Sequence, residues 1–217
     1  MLLDKISLAA SEATESNGGR PVLGCIKVTK DKTTGTDGNI LIEIATQDSQ
    51  DDEFPLTGNL TPLVLGDNDS LLISSKDAAK ISKTIPKRSP LPILENAQVC
   101  QGNGSLPVIT TDLESPTVHQ IKPGEGTFPN TDLVWPKGTP KVEIGIDLKL
   151  LSKLVHCLQS AGVEIAKLSI YDALTPIKVD SVRPGDRKVS GLIMPCRLPK
   201  PRTEPEPVSE EVSQEPY

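Results

Sequence analysis

The sequence predicts an α+β fold built from a repeated strand–helix–strand–strand unit, with two or three strands after each helix. Three stretches carry apolar side chains at helical spacing, and each is followed by short runs of strand-forming residues. The helices start about 73 residues apart, so this order of elements occurs three times. The chain is 36% hydrophobic but only 2% aromatic, and its core must therefore consist of Leu, Ile and Val.

The first predicted helix covers roughly residues 2–15 and ends at the NGGRP segment, residues 17–21. Its apolar face is formed by Leu2, Ile6, Ala9 and Ala13. Strands are predicted after the helix at VLGCIKV, residues 22–28, and NILIEIA, residues 39–45. No strand is predicted before it, so this unit is expected to begin directly with its helix.

The second predicted helix covers roughly Ser75–Ile85. Ser74 can cap its first turn, and Pro86 ends it because proline lacks the amide hydrogen that a helix needs. A strand is predicted before the helix at SLLIS, residues 70–74. Strands are predicted after it at LPILENAQV, 91–99, and LPVITT, 106–111, with a third near TVHQI, 117–121.

The third predicted helix covers roughly Leu148–Ser160. Asp147 can cap its start, and Gly162 can end it in a left-handed conformation. A strand is predicted before this helix at KVEIGI, residues 141–146. Strands are predicted after it at IAKLSIY, 165–171, PIKVD, 176–180, and SGLIMP, 190–195.

Two of these helices carry a basic face. On the second helix, lysines project opposite the apolar residues Ala78, Ile81 and Ile85. This face is formed by Lys76, Lys80 and Lys83 and continues past Pro86 to Lys87 and Arg88. On the third helix, the basic face is formed by Lys149, Lys153 and His156, opposite Leu151, Leu154, Val155 and Leu158.

The basic faces have two interpretations. A charged helix face is most often only solvated, but two such faces stand out in a chain of net charge −6. Lysines contact phosphates without reading bases, so the alternative is a sequence-independent nucleic-acid surface. The first helix does not share the pattern, because Asp4, Glu12 and Glu15 accompany Lys5 there.

The sequence contains no signature of an enzyme, a cofactor site or a metal site. Its four cysteines form no C-x-x-C pair, its two histidines lie far apart, and no phosphate-binding loop or nucleophile motif is present. No run of apolar residues is long enough to span a membrane, so we expect a cytoplasmic protein without a membrane contact. The last residues, 199–217, are rich in Pro and Glu and predict a disordered acidic tail.

The segment SGLIMPCRLPK, residues 190–200, raises a separate question. It reads as a strand, Leu192 to Met194, that runs into a proline, a cysteine and an arginine. A plain edge strand with a buried methionine would explain it. A docking site for another protein's peptide is the alternative, since methionine side chains suit surfaces that accept several partners.

A family resemblance favours the docking site. The stretch VEIGIDLKLLSKLVHCLQSAGVEIAKLSIYDALTPIKVDS, 142–181, followed by GLIMPCRL, 191–198, resembles the last half-domain of bacterial DNA sliding clamps, the beta subunit of DNA polymerase III. The segment FPNTDLVWP, 128–136, resembles the junction between clamp domains. Weaker similarity is found at SSKDAAKISKTIP, 74–86, at RPVLGCIKV, 20–28, and at ILIEIATQDSQ, 40–50. The chain thus resembles a short or divergent member of this family.

The resemblance implies a DNA-clamp fold, with helices on one face of antiparallel sheets. It implies a first clamp-like domain at 1–127, a second half-domain at 128–198 and the tail at 199–217. Helices of this family line the hole of a ring and face duplex DNA, which agrees with the basic faces. The implied function is a processivity factor that encircles DNA and tethers polymerases and clamp-loader-type proteins, as a homo-oligomer and without catalysis.

The resemblance also implies a peptide-binding groove at the end of the chain. Carried over residue by residue, the groove includes Leu174, Pro176, Leu192, Met194, Pro195, Cys196 and Arg197. The family's other groove wall uses an Asp-Gly-His-Arg-Leu-like turn, whereas the corresponding ATQDSQDDE, 45–53, is polar and acidic. The alternative function is a clamp-fold interaction module that no longer binds DNA and only binds protein peptides or regulates a clamp.

The number of chains in a ring stays open. The family's rings present twelve helices, so four chains of three helices each would complete one. Three chains would suffice if each had a fourth helix, and a chain that never closes a ring is a further alternative.

Overall fold

The structure is a computed structural model that describes residues 1–15, 19–46, 54–55, 60–86, 88–182 and 188–198. The chain forms two compact units, unit 1 over Met1–Trp135 and unit 2 over Pro136–Tyr217. The second domain predicted from the sequence starts at residue 128, inside the segment that ends unit 1. Lys87, most of the 45–53 turn and the 199–217 tail lie outside the described residues.

Unit 1 consists of two halves of the same design. The first half holds strands β1 Leu2–Asp4, β2 Cys25–Val28, β3 Lys32–Thr36 and β4 Leu41–Ala45. The second half holds strands β5 Leu71–Ser74, β6 Asn96–Val99, β7 Leu106–Thr110 and β8 Thr117–Ile121. The helices are α1 Lys5–Leu8, which continues as a 3₁₀ helix over Ala9–Ala13, and α2 Ser75–Thr84.

Each half of unit 1 gives its first strand to the sheet of the other half. The two antiparallel sheets have the orders β4-β3-β2-β5 and β1-β6-β7-β8. The exchange is symmetric, because Leu3 of β1 lies opposite Ala97 and Ile73 of β5 lies opposite Ile26. Both first strands end at a helix cap, at Asp4 and at Ser74.

The sequence predicted a helix over residues 2–15 with no strand before it. This was wrong at residues 2–4, which form strand β1. Leu2 and Leu3 fit a helical pattern, yet they are extended because they pair with β6 and bury their side chains. The following 3₁₀ turn packs directly against the sheet β4-β3-β2-β5, with Ala10 fully buried. Gly35 of β3 permits this approach, since a side chain there would collide with the carbonyl of Ala10.

The core of unit 1 is aliphatic, as predicted from the scarcity of aromatic residues. Its buried cluster includes Leu3, Leu8, Ile26, Val28, Ile73, Ile81, Ile85, Val99 and Val108. These side chains come from both sheets and from α1 and α2. The two halves therefore share one hydrophobic core, and neither sheet is buried without the other.

Other strand predictions were partly correct. The strand at 117–121 is confirmed as β8. The starts of two others are 3₁₀ turns, Pro21–Gly24 and Pro92–Glu95, because proline at the first position favours a turn. Strand β3 was missed because its sequence, KTTGT, lacks large apolar residues, although four of its five residues are buried.

Unit 2 contains helix α3 Leu148–Ser160 and strands β9 Ala166–Ser169, β10 Ile177–Ser181 and β11 Ser190–Ile193. The strands form an antiparallel sheet of order β11-β10-β9. The caps of α3 are as predicted: the Asp147 carboxylate accepts from the amide of Lys149 at 2.8 Å, and Gly162 has φ +80°. The core of this unit contains Leu158, Val163 and Val179, with Leu154, Ala166 and Val189 packed against them.

Two strand predictions in unit 2 need correction. The segment KVEIGI, 141–146, forms no strand in this structure, and only its Gly145 makes a bridge, to Cys196. The corresponding strands of unit 1 pair with the sheet of a second half, and the described part of unit 2 has one half. Strand β11 begins at Ser190 and ends at Ile193, before Met194.

Candidate functional site

Helix α2 presents its predicted lysines to solvent. Lys76, Lys80 and Lys83 are exposed, whereas Ala78 and Ile81 on the opposite face are buried. The Ser74 hydroxyl accepts from the amide of Asp77 and donates to its carboxylate at 2.7 Å, which fixes the start of the helix. Arg88 is also exposed, and Lys87 lies outside the described residues.

Helix α3 carries lysines at positions equivalent to those of α2. Lys149 lies two residues after its cap and Lys153 six after it, as Lys76 and Lys80 do after Ser74. Both are exposed, as is His156, while Leu158 is buried on the other side. The two basic faces therefore have the same design within their own units.

The charges on these helices are not neutralised by ion pairs within the described part of the chain. The ion pairs found there are Lys30–Asp67, Lys32–Glu43, Lys32–Asp132 and Lys178–Asp180. Helix α1 differs, because its Lys5 ammonium donates to the carbonyl of Ile85 at 3.3 Å. The basic face is thus a property of α2 and α3, as the sequence indicated.

A buried histidine lies beneath the end of α2. The Nε2 atom of His119 lies 3.0 Å from the hydroxyl of Thr84, which also accepts from Thr110 and donates to the carbonyl of Ile81. With the Thr84 hydrogen directed to Ile81, this contact favours the tautomer of His119 that donates from Nε2. Burial lowers the pKa of His119, and the positive charge of Lys80 lowers it further. His119 is therefore neutral near pH 7, and its contact with Thr84 stabilises the end of α2.

The predicted groove residues of strand β11 lie on the sheet face away from α3. Ile193 is buried against the core, and Gly191 lies beside Leu154 of α3, so this side of β11 faces the helix. Leu192 and Met194 project the other way and are 63% and 54% exposed. The alternative of a plain strand with a buried methionine does not fit these exposures.

The remaining groove residues surround the end of β11. Leu174 and Pro176 are exposed in the loop before β10, where the Asp172 carboxylate accepts from the amides of Leu174 and Thr175 at 2.8 Å each. These bonds lower the pKa of Asp172. Pro195 is half-buried, and Cys196 and Arg197 are exposed. Residues 47–53, most of the expected second wall, lie outside the described residues.

One residue that supports the groove was missed from the sequence. The amide of Cys196 donates to the carbonyl of Gly145 at 2.9 Å, which fixes the segment after β11 beside the segment before α3. A side chain on Gly145 would collide with the Cys196 carbonyl. A glycine inside a strand-like run was the available signal, since it often marks close backbone approach.

The FPNTDLVWP segment is attached to the first sheet of unit 1. Phe128 is buried against Cys25 and Leu72. The Glu43 carboxylate accepts from the hydroxyl of Thr131 and from the Lys32 ammonium at 2.9 Å each. The hydrogen bond from the Lys32 ammonium to Glu43 is the main reason that the pKa of Lys32 is raised. The start of the segment therefore packs against the sheet. Its later residues, Leu133, Val134 and Trp135, are exposed.

The described residues contain no group of three or more His, Cys, Asp or Glu side chains arranged to hold a metal ion. No helix in that part of the chain is long and apolar enough to cross a membrane. The four cysteines are free, with Cys25 and Cys100 buried and Cys157 and Cys196 exposed.

The chain has the fold of bacterial DNA sliding clamps. The DNA polymerase III beta chain of Streptococcus pneumoniae TIGR4 matches 91% of this chain with a TM-score of 0.62 and 16% identity. The DNA polymerase sliding clamp of Bacillus subtilis matches 90% with a TM-score of 0.58 and 16% identity. The DNA polymerase III subunit beta of Pseudomonas aeruginosa, bound to griselimycin, matches 90% with a TM-score of 0.61 and 15% identity.

The matches cover 49%, 48% and 49% of those clamps, so the chain spans about half of their length. No family model matches the chain, and no curated protein matches it. The structural likeness establishes the fold.

Proposed function

We propose that this protein is a sliding-clamp-like factor that embraces duplex DNA without sequence preference, tethers replication proteins to it, and performs no catalysis. The observation that carries the proposal is the pair of lysines at equivalent positions on α2 and α3 of a sliding-clamp fold. In this proposal several copies of the chain close a ring in the cytoplasm, with the basic faces of the helices turned to the DNA.

The lysines supply a weak and mobile hold on DNA. Each ammonium group that replaces a counterion at a phosphate contributes affinity that falls as salt rises. An ammonium group makes no directional contact with base edges, so it can exchange one phosphate for the next without loss. The ring then keeps the protein on DNA by enclosure, and the lysines keep the duplex centred while it slides.

Charge reversal on α2 tests the DNA contact. Replacing Lys80 and Lys83 by Glu should weaken binding to a duplex and lower the slope of log affinity against log salt by about two, since each phosphate contact contributes roughly 0.9. Titration of a labelled duplex at several salt concentrations measures both. The control is the same reversal at Lys122 and Lys137, which are exposed outside the helices. Equal slopes for both variants would refute the contact.

We also propose that Leu174, Pro176, Leu192, Met194, Pro195, Cys196 and Arg197 bind short apolar peptides of polymerases and clamp loaders. The support for this is an exposed apolar strand face in which Met194 and Leu192 project together beside one cation, Arg197. Apolar peptide side chains would be removed from water against this face. Methionine fits several peptide shapes because its side chain is flexible and polarizable.

A second candidate function is a clamp-fold interaction module that no longer binds DNA. It is favoured by α1, which is one turn long and uses Lys5 on the Ile85 carbonyl, and by the net charge of −6. In that case the charge reversals at Lys80 and Lys83 would leave duplex binding negligible in all variants, while the Met194 surface would still bind peptides.

A further inference from the structure

Unit 2 exposes apolar surface at a place that is buried in unit 1. Leu168 of β9 lies directly opposite Val179 of β10, so both side chains project from the same, helix-facing side of the sheet. Val179 is 2% exposed and Leu168 is 53% exposed. The matching residue of unit 1 is Val99, which lies opposite Val108 and is fully buried. The inner face of unit 2 is therefore only partly covered.

Helix α3 has an extra apolar flank that α2 lacks. Counted from the helix caps, Ser75 and Ser82 of α2 correspond to Leu148 and Val155 of α3, which share one side of that helix. Leu148 and Val155 are 75% and 43% exposed. In unit 1 the neighbouring helix α1 and its 3₁₀ turn pack beside α2. The flank of α3 is the kind of surface that a second helix covers.

Unit 2 also has an unpaired sheet edge, and its segment 144–146 belongs to no sheet. No described strand pairs with the outer edge of β9, whereas β2 and β6, its counterparts in unit 1, each receive the first strand of the other half. The segment 144–146, immediately before the cap of α3, corresponds to Leu71–Ile73 of β5. In unit 2 it makes a single bridge, from Gly145 to Cys196.

We propose that two copies of this chain join through unit 2, each giving residues 144–146 to the β9 edge of the other. The two α3 helices then pack side by side and cover their apolar flanks, as the two halves of unit 1 do. The register follows from unit 1, where Leu3 lies opposite Ala97 and Ile73 opposite Ile26. It places Ile146 of one copy opposite Ala166 of the other.

A second copy is the occupant because unit 2 is self-complementary. The same unit carries both the segment 144–146, which has one edge bridged by Cys196, and the sheet edge that such a segment fills, so a two-fold axis satisfies both at once. Pairing also closes an edge strand that would otherwise invite unspecific association. Lys149 and Lys153 lie about 100° or more around the helix from Leu148 and Val155, so their charges do not oppose this packing. The inference goes beyond the proposed function and does not depend on DNA binding.

Disulfide trapping between separate chains tests the register. One variant carries Ile146→Cys and another Ala166→Cys, both with Cys157→Ser and Cys196→Ser. Opposed residues of an antiparallel pair have Cα atoms about 4.5–5.5 Å apart, which suits a disulfide. The mixed variants should form a covalent pair of chains under mild oxidation, without DNA. Ile146→Cys mixed with Lys167→Cys, one residue out of register, is the control, and equal yields in both mixtures would overturn the proposal.

Sedimentation without DNA tests the surface itself. The wild-type chain should associate, and Leu168→Asp should weaken association about tenfold or more, because the carboxylate would be buried without a partner. Leu91→Asp, at a similarly exposed apolar residue of unit 1, should associate like wild type. A wild-type monomer at tens of micromolar would refute the second copy and assign the edge to another protein or to further residues of a longer chain.

Discussion

The backbone amide of Cys196 donates a 2.9 Å hydrogen bond to the carbonyl of Gly145, and this contact joins the end of the candidate groove to the entrance of α3. Gly145 is buried, and the Cys196 carbonyl approaches it so closely that a side chain has no room. The position of Met194 and Arg197 therefore depends on a glycine that lies far away in the sequence.

Gly145→Ala should separate these two segments and lower the free energy of unfolding by about 1–3 kcal/mol. The added methyl group would overlap the Cys196 carbonyl, so the hydrogen bond would be lost. Urea unfolding measures the cost. Gly24→Ala is the matched control, because its methyl group would meet ordinary contact distances. Equal stabilities of the two variants would contradict this account.

Stability should fall as the pH falls below about 6.5, the ordinary pKa of histidine in an unfolded chain. The folded protein holds the pKa of His119 below that value, so the unfolded chain binds the proton more readily. Acid therefore stabilises the unfolded state relative to the folded state. The free energy of unfolding should change by at most about 1.4 kcal/mol per pH unit through this group. Urea unfolding at pH 7.5 and 5.5 measures it.

His119→Gln should remove this part of the pH dependence, because glutamine does not titrate and can still donate to Thr84. His156→Gln, at the exposed histidine of α3, should keep the wild-type difference between the two pH values. If His119→Gln kept the wild-type difference in stability as well, another group would be responsible for the pH dependence.

Met194→Asp should abolish binding at the candidate groove, since a carboxylate against an apolar ligand costs a few kcal/mol. A short labelled apolar peptide, of the class proposed to bind this surface, is the probe. Calorimetric titration should give binding to wild type and to Leu91→Asp but none to Met194→Asp. Binding that survives in Met194→Asp would place the site elsewhere, and no binding to wild type would count against a working groove.

The sequence predicted the elements that local signals determine. Helices α2 and α3 were predicted with their caps, because Ser74, Asp147 and Gly162 act on neighbouring residues. Strand β1 was missed, since Leu2 and Leu3 become extended only through pairing with β6. The segment 141–146 was predicted as a strand, but a strand needs a partner, and the described part of unit 2 offers only the bridge at Gly145.

The same distinction applies to the candidate site. The basic faces follow from helical periodicity alone, so the lysines could be identified without the structure. The bonds that join His119 to Thr84 depend on tertiary packing and carry no local signal. Gly145 signals a close backbone approach, but the sequence does not indicate that the partner is Cys196. The sequence thus predicts which surfaces are exposed better than it predicts what supports them.

The most direct test of the clamp proposal is retention on circular against linear DNA. Chains are mixed with a nicked circular plasmid while dilute, then concentrated so that assemblies form around it, and passed over a gel-filtration column in salt that screens the lysines. The account predicts that the protein elutes with the circle and is lost when the same plasmid is cut once. Equal retention on the circle and on the cut plasmid, or on neither, would contradict it.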